Sequence, residues 1–150
     1  MSAFVRGVGS FAPPRVVTND ELSQLVDTSD EWIYSHTGIK SRHIADDGMA
    51  CSDLAVTALE RALETAELDP GSLDLILVAT STPDHLGLPS TAAIVQDRIG
   101  AKKAGAMDLV AACTGFVYGL STAAAFVNSG SARNVAVIGA EVFSKILDWN

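Results

Sequence analysis

The clearest periodic signal in the chain is "SDLAVTALERALETAEL" at 52–68. Leu54, Ala55, Ala58, Leu59, Ala62, Leu63 and Ala66 recur at helical spacing, opposite Glu60, Arg61, Glu64 and Glu67, so this stretch predicts an amphipathic helix. After a turn at "DPGS" (69–72) the period changes. "LDLILVAT" (73–80) is short and apolar, the pattern of a strand buried on both faces. "AGAMDLV" (104–110) and "NVAVIGAEV" (134–142) predict two more strands, with helices between them at about 90–99 and 114–129. Nearer the start, "AFVRGVGSFAP" (3–13) predicts a strand that ends at Pro13-Pro14. "TNDELSQLV" predicts a short helix capped by Thr18 or Asn19, and "TSDEWIYSHTGI" a second one capped by Ser29 or Asp30 and stopped at Gly38. Strand and helix alternate, which predicts an α/β fold with a mostly parallel sheet and right-handed crossovers. No linker or low-complexity stretch interrupts it, so one domain is expected over 1–150.

One predicted helix breaks the amphipathic rule. Residues 114–129, "TGFVYGLSTAAAFVNS", carry no charge, and Gly115, Gly119 and Ala123–Ala125 are small enough to let neighbouring elements approach closely. A helix apolar all round is buried all round. One sheet covers one side of it; the other side needs a second layer, from a partner copy, another chain or a further half of the protein.

Composition narrows the class. The 150 residues are 48% hydrophobic and 19% charged, which fits an ordered globular domain. No apolar run reaches the ~18 residues of a membrane span, and the first residues lack a secretory-signal pattern, so a soluble protein of a bacterial-type cytoplasm is expected. The net charge of −8, with no basic stripe, argues against a nucleic-acid partner. "KSRH" (40–43) is the densest basic stretch, readable as an anion patch or as a solvated turn. His36, His43 and His85 show no metal-ligand spacing, and Cys51 and Cys113 form no CxxC pair, so no metal is expected and both thiols are read as reduced.

The candidate chemistry is at Cys113. It lies where the 104–110 strand passes into the uncharged helix, beside N–H groups and the positive end of a helix dipole. That setting favours thiolate, and the same N–H groups can hold an oxyanion when a carbonyl is attacked. Ala111, Ala112, Thr114 and Gly115 leave room for such a carbonyl. Position alone does not separate this reading from a cysteine that merely fills the core. Cys51 also lies near a helix start, but Asp53 and Asp46-Asp47 disfavour thiolate there, and it is read as structural.

"VDTSDEWI" (26–33), "TGIKSRHIA" (37–45) and "DLVAACTGFVYGL" (108–120) resemble the N-terminal half of β-ketoacyl-acyl-carrier-protein synthase III, a member of the thiolase-like superfamily. The resemblance runs from "GVGSFAP" to "NVAVIGAEV" and implies a layered α-β-α-β-α fold in the complete enzyme, this chain being the nucleophile-bearing half. It implies a homodimer, a C-terminal half that encloses the uncharged helix, and Cys113 as nucleophile. By that resemblance, Cys113 takes an acyl group from acyl-coenzyme A, and decarboxylative condensation with malonyl-acyl-carrier protein follows. The coenzyme is substrate, and no cofactor is implied. Trp32 matches the tryptophan that stacks on the coenzyme A adenine, Thr28 lies in the same strip, and His36 stands where the family usually has an arginine that helps bind the coenzyme. Leu88 stands near the usual position of a phenylalanine that reaches into the partner's acyl pocket, which implies a roomier pocket.

The family's catalytic histidine and asparagine belong to its second half, and none of the three histidines here matches. The chain is therefore expected to be a fragment or one piece of a split protein that does not complete condensation alone. His85 as a base for Cys113 is weighed against an ordinary loop histidine. Two other functions stay open: a related acyltransferase or condensing enzyme of secondary metabolism, and a non-catalytic fragment that only dimerises.

Overall fold

A computed structural model describes residues 2–148, which form two compact units: residues up to 11 with 50–141, and 12–49 with those from 142 on. Among the described residues no helix is long and apolar enough to cross a membrane.

In the smaller unit, β1 (Arg15–Thr18) runs into α1 (Asn19–Leu22), then α2 (Asp30–Thr37) and β2 (Ser41–Ile44). β1 and β2 pair antiparallel, with Arg15 opposite Ile44 and Thr18 opposite Ser41. Of the two candidate caps for α1, Thr18 does the work. Its hydroxyl accepts the Glu21 N–H at 3.2 Å, while the Glu21 carboxylate accepts the Thr18 N–H at 2.8 Å. Ser29 caps α2 by accepting the Trp32 N–H at 3.1 Å, and Gly38, at φ 71°, ends it as expected. Buried Asn19 ties the unit together: its amide donates to Asp30 at 2.7 Å and to the Ile39 carbonyl at 2.8 Å, and its oxygen accepts from Arg42. Arg42 also donates to the Val17 carbonyl at 3.1 Å. "KSRH" is therefore largely strand β2, with its arginine turned onto the β1 backbone and Asn19, and not a solvated turn.

The larger unit contains α3 (Cys51–Ala66), β3 (Leu75–Ala79), α4 (Thr91–Arg98), β4 (Gly105–Leu109), α5 (Gly115–Asn128) and β5 (Val135–Gly139). The sheet order is β4-β3-β5, all parallel, with Leu75 opposite both Gly105 and Val135. β3 is buried on both faces as its apolar run predicts, and Ile76, Leu77 and Val78 have no exposed surface. Burying each such side chain is worth about 1.5–3 kcal/mol. Side chains alternate across the sheet, so Leu75 and Leu77 join Ala123, Phe126, Val135 and Val137 under α5. α3 and α4 pack together, α4 on β3 and β4, α3 on β5.

Residues 3–13 do not form the expected strand. No other strand among the described residues offers them a ladder. The part belonging to this unit lies along α3 instead. A β-carbon on Gly9 would come within 2.3 Å of the Ala58 carbonyl oxygen, and one on Gly7 within 2.5 Å of that of Ala62. Arg61 donates to the Ser10 carbonyl at 2.6 Å, and Arg6 to that of Ala66 at 3.0 Å. Ala58 and Ala62, assigned to the apolar face of that helix, thus have this segment as their cover. Phe4, Val5 and Val8 remain exposed.

α5 sits on the sheet through its glycines. A β-carbon on Gly115 would lie 3.1 Å from Ala79 Cβ, and one on Gly119 2.8 Å from Val137 Cγ1. The close approach expected of these small residues is present. The opposite side of α5 is bare: Val117, Tyr118 and Leu120 are all exposed, and Phe116, whose ring edge lies against Gly139 of β5, is exposed as well. Gly119→Val is expected to cost about 2 kcal/mol by overpacking against Val137. Thermal unfolding measures it, and an unchanged midpoint would contradict the seating described.

Candidate active site

β4 ends at Leu109 and α5 begins at Gly115, so five residues make the connection. Ala112–Thr114 form a single 3-10 turn, and Cys113 is exposed in its middle, one residue short of the predicted helix start. Ala112 has φ 45°, a left-handed conformation that costs a residue with a β-carbon roughly 1–2 kcal/mol. The turn closes through the Thr114 N–H to the Ala111 carbonyl at 3.2 Å, and the Thr114 hydroxyl donates to the same oxygen at 2.8 Å. That hydroxyl is therefore turned away from α5, which has no side-chain cap and no acidic residue in its first turn. An uncapped helix start offers N–H groups and positive potential to an incoming oxyanion.

The other thiol has the opposite setting. Cys51 has 0% exposure; its Sγ donates to the Ala140 carbonyl at 3.3 Å and lies 3.4 Å from the Thr80 hydroxyl. Burial first, then the charges of Asp84, Glu141 and Asp108, push its pKa up to about 11. The sequence reading of Cys51 as structural holds, but its cause is different. Burial dominates, and the acids that matter come from the loop after β3 (Asp84), the end of β4 (Asp108) and just beyond β5 (Glu141).

Those acids are a framework that the sequence reading missed. Asp84 accepts the Ser52 N–H at 2.9 Å and its hydroxyl at 2.6 Å, capping α3. Asp108 accepts the Thr91 N–H at 2.8 Å and the Ala92 N–H at 2.7 Å, capping α4. Glu141 accepts the Ser81 N–H at 2.8 Å and the Thr82 hydroxyl at 2.5 Å, and so holds the loop after β3. Single acids inside the apolar runs "AMDLV" and "IGAEV" were the available signal.

A cavity of about 460 Å³ opens at the carboxyl ends of β3 and β4. Thr80, His85, Leu88, Asp108 and Val110 are among its lining residues, and Cys113 is not. His85 is thus in the cavity wall, and no hydrogen bond links it to Cys113 among the described residues. The ordinary loop reading of His85 is the one its surroundings support.

The coenzyme-strip residues belong to the smaller unit. Thr28 is half-buried just ahead of the α2 cap. Trp32 and His36 lie one turn apart on α2 and are brought together, with ring centroids 4.5 Å apart and planes inclined by 22°. Trp32 is 58% exposed. Lys40 sits over the Tyr34 ring at 5.3 Å.

The larger unit is α/β with a parallel β4-β3-β5 sheet and a cysteine-bearing turn at the head of a glycine-seated helix, and likeness to solved structures places this fold in the thiolase-like class. The family described as 3-oxoacyl-[acyl-carrier-protein] synthase III matches residues 107–150. A β-ketoacyl-[acyl-carrier-protein] synthase III of Ehrlichia canis (strain Jake) is 53% identical over 147 residues, 98% of this chain and 46% of that protein. The crystal structure of 3-oxoacyl-[acyl-carrier-protein] synthase III from Aquifex aeolicus VF5 superposes with TM-score 0.92 at 48% identity, covering 97% of this chain and 46% of that one. A priming β-ketosynthase of the R1128 polyketide pathway also gives TM-score 0.92, at 40% identity, covering 97% and 43%. The chain belongs to the β-ketoacyl-acyl-carrier-protein synthase III family. It spans about half the length of the curated relatives it matches.

Two outcomes check the geometry. Iodoacetamide at pH 8 is expected to alkylate Cys113 and spare Cys51 until the protein unfolds, because Cys51 is sealed and remains a thiol well above that pH; peptide mapping reads this, and prior labelling of Cys51 would contradict it. Asp108→Ala removes both acceptors at the α4 start and is expected to cost about 1–2 kcal/mol in denaturant unfolding. Full stability in that variant would remove Asp108 from the framework.

Proposed function

We propose that this chain supplies the nucleophile of a condensing enzyme that starts fatty-acid synthesis. The observation that carries the reading is the exposed Cys113 at the uncapped head of α5. In the proposed scheme the Cys113 thiolate attacks the carbonyl carbon of an acyl-coenzyme A thioester. A tetrahedral oxyanion forms, held by backbone N–H groups at the turn, that of Cys113 included. The carbon–sulfur bond to coenzyme A then breaks, the coenzyme leaves as thiolate and takes up a proton, and the acyl group stays on Cys113. Malonyl-acyl-carrier protein loses carbon dioxide, and its carbanion attacks the acyl-enzyme, releasing the cysteine sulfur and a β-ketoacyl-carrier product.

Family membership and the position of the motifs support Thr28, Trp32 and His36 as the coenzyme strip. The exposed indole of Trp32 suits stacking on adenine. The second half-reaction calls on the histidine and asparagine that the resemblance assigns to a C-terminal half, so we assign condensation to the two halves together. The bare apolar side of α5 supports a layer laid over it from that half, and a homodimer is part of the same reading. No cofactor besides the thioester substrate enters the proposed scheme, and a cytoplasmic location is part of the same proposal. His36 in place of the usual arginine, together with the likeness to a polyketide priming ketosynthase, favours a secondary-metabolic relative as the second reading.

The test is transfer of a radiolabelled acetyl group from acetyl-coenzyme A. Cys113→Ala is expected to abolish protein-bound label and Cys51→Ala to retain it. Label that survives Cys113→Ala would overturn the assignment. Turnover with malonyl-acyl-carrier protein separates a condensing enzyme from a relative that transfers the acyl group without decarboxylation.

A further inference from the structure

The residue in place of the family's arginine is bound into the indole beside it. His36 Nδ1 lies 2.7 Å from the Trp32 carbonyl oxygen. A carbonyl oxygen only accepts, so Nδ1 carries a proton and donates it there. The Ser35 hydroxyl donates to the same carbonyl at 3.1 Å. Stacking and this bond act together: the backbone of Trp32 anchors the imidazole, and the imidazole in turn covers one face of the Trp32 indole. Side chains four residues apart on a helix meet in this way. An exposed indole without such a neighbour is free to occupy several rotamers, and ordering it on binding costs free energy. Here one face is already fixed while the ring stays 58% exposed, leaving a surface for another planar group.

We infer that His36 is a positioning residue for Trp32: it holds the indole in one orientation so that a planar heterocycle of a nucleotide-bearing thioester stacks on the ring. The inference rests on the coenzyme reading of Trp32 given above. It assigns His36 a different task from that of an arginine. The Nδ1 proton is committed to the backbone, and the contribution assigned to the ring is orientation of the indole. Its effect therefore falls on substrate binding and not on the acyl-transfer step at Cys113.

The test uses a Trp149→Phe background of this 150-residue chain, which leaves Trp32 as the one tryptophan of those 150 residues. Three readouts are near-ultraviolet dichroism of Trp32, calorimetric titration with coenzyme A, and the concentration dependence of acylation by acetyl-coenzyme A. His36→Ala and His36→Gln both remove the ring, and glutamine keeps a donor and helix propensity should alanine disturb α2. Both variants are expected to lose indole dichroism and to weaken coenzyme A binding about two- to twelvefold, the range for one aromatic pair. The half-saturating acetyl-coenzyme A concentration rises by the same factor, with the saturated acylation rate unchanged. His36→Phe, which restores a stacking ring without the Nδ1 donor, is expected to recover most of the loss. Unchanged dichroism or unchanged affinity in both ring-less variants overturns the inference, as does an equal fall in the saturated rate. Trp32→Ala separates the two readings. Lost affinity there with full affinity in His36→Ala overturns the positioning role alone, whereas full affinity in Trp32→Ala overturns the coenzyme site and this inference with it.

Discussion

The approach of α5 to the parallel sheet is the constraint on which the rest depends. Gly119 faces Val137 and Gly115 faces Ala79 with no room for a methyl group at the first and almost none at the second. With the helix this close, five residues must carry the chain from Leu109 to Gly115. A gradual bend does not fit, so the chain turns at Ala112 with φ 45° and closes a single 3-10 turn. Cys113 emerges from that turn exposed, while the helix start behind it keeps its N–H groups free of a side-chain cap. Seating, turn and thiol are thus one arrangement. The glycines are where the sequence gives up helix propensity to obtain it.

The acids at the strand ends hold the surroundings of that turn. Asp108, at the end of β4, fixes the start of α4, and Asp84 fixes the start of α3. Glu141, just beyond β5, fixes the loop after β3. Each carboxylate accepts backbone N–H groups that would otherwise lack partners, an interaction stronger than a neutral hydrogen bond. Burial is the main reason Cys51 resists ionisation, and the same charges add to it, so the groups that organise the sheet edge also help keep its buried thiol inert.

Elements whose neighbours lie close in the chain were legible from sequence. β3 read as buried on both faces because every residue from 75 to 79 is apolar and covered. Thr18, Ser29 and Gly38 were readable because caps act over three or four residues. Residues 3–13 misled because a strand needs a partner ladder, and its apolar, β-branched pattern says nothing about whether one is near. The β1–β2 pair escaped notice because each strand has four residues, too few to establish a period, and α1 and α2 separate them. At the candidate site, the placement of Cys113 between strand and helix was legible, though not that it sits exposed in a 3-10 turn. The pairing of His36 with Trp32 was not, since the sequence aligned His36 with a charge-bearing position and gave no sign of the ring stack.

In the proposed scheme the chain carries acylation and relies on further layers for condensation, which accounts for the uncovered side of α5. The most direct test of the central claim is to find where and how the acyl group is attached. After incubation with acetyl-coenzyme A, trypsin places the two cysteines on separate peptides, His43–Arg61 and Ala104–Arg133. The account predicts one acyl group per chain, on the second peptide, released by neutral hydroxylamine as a thioester. An acyl group on the first peptide, or a hydroxylamine-stable adduct elsewhere, would contradict it.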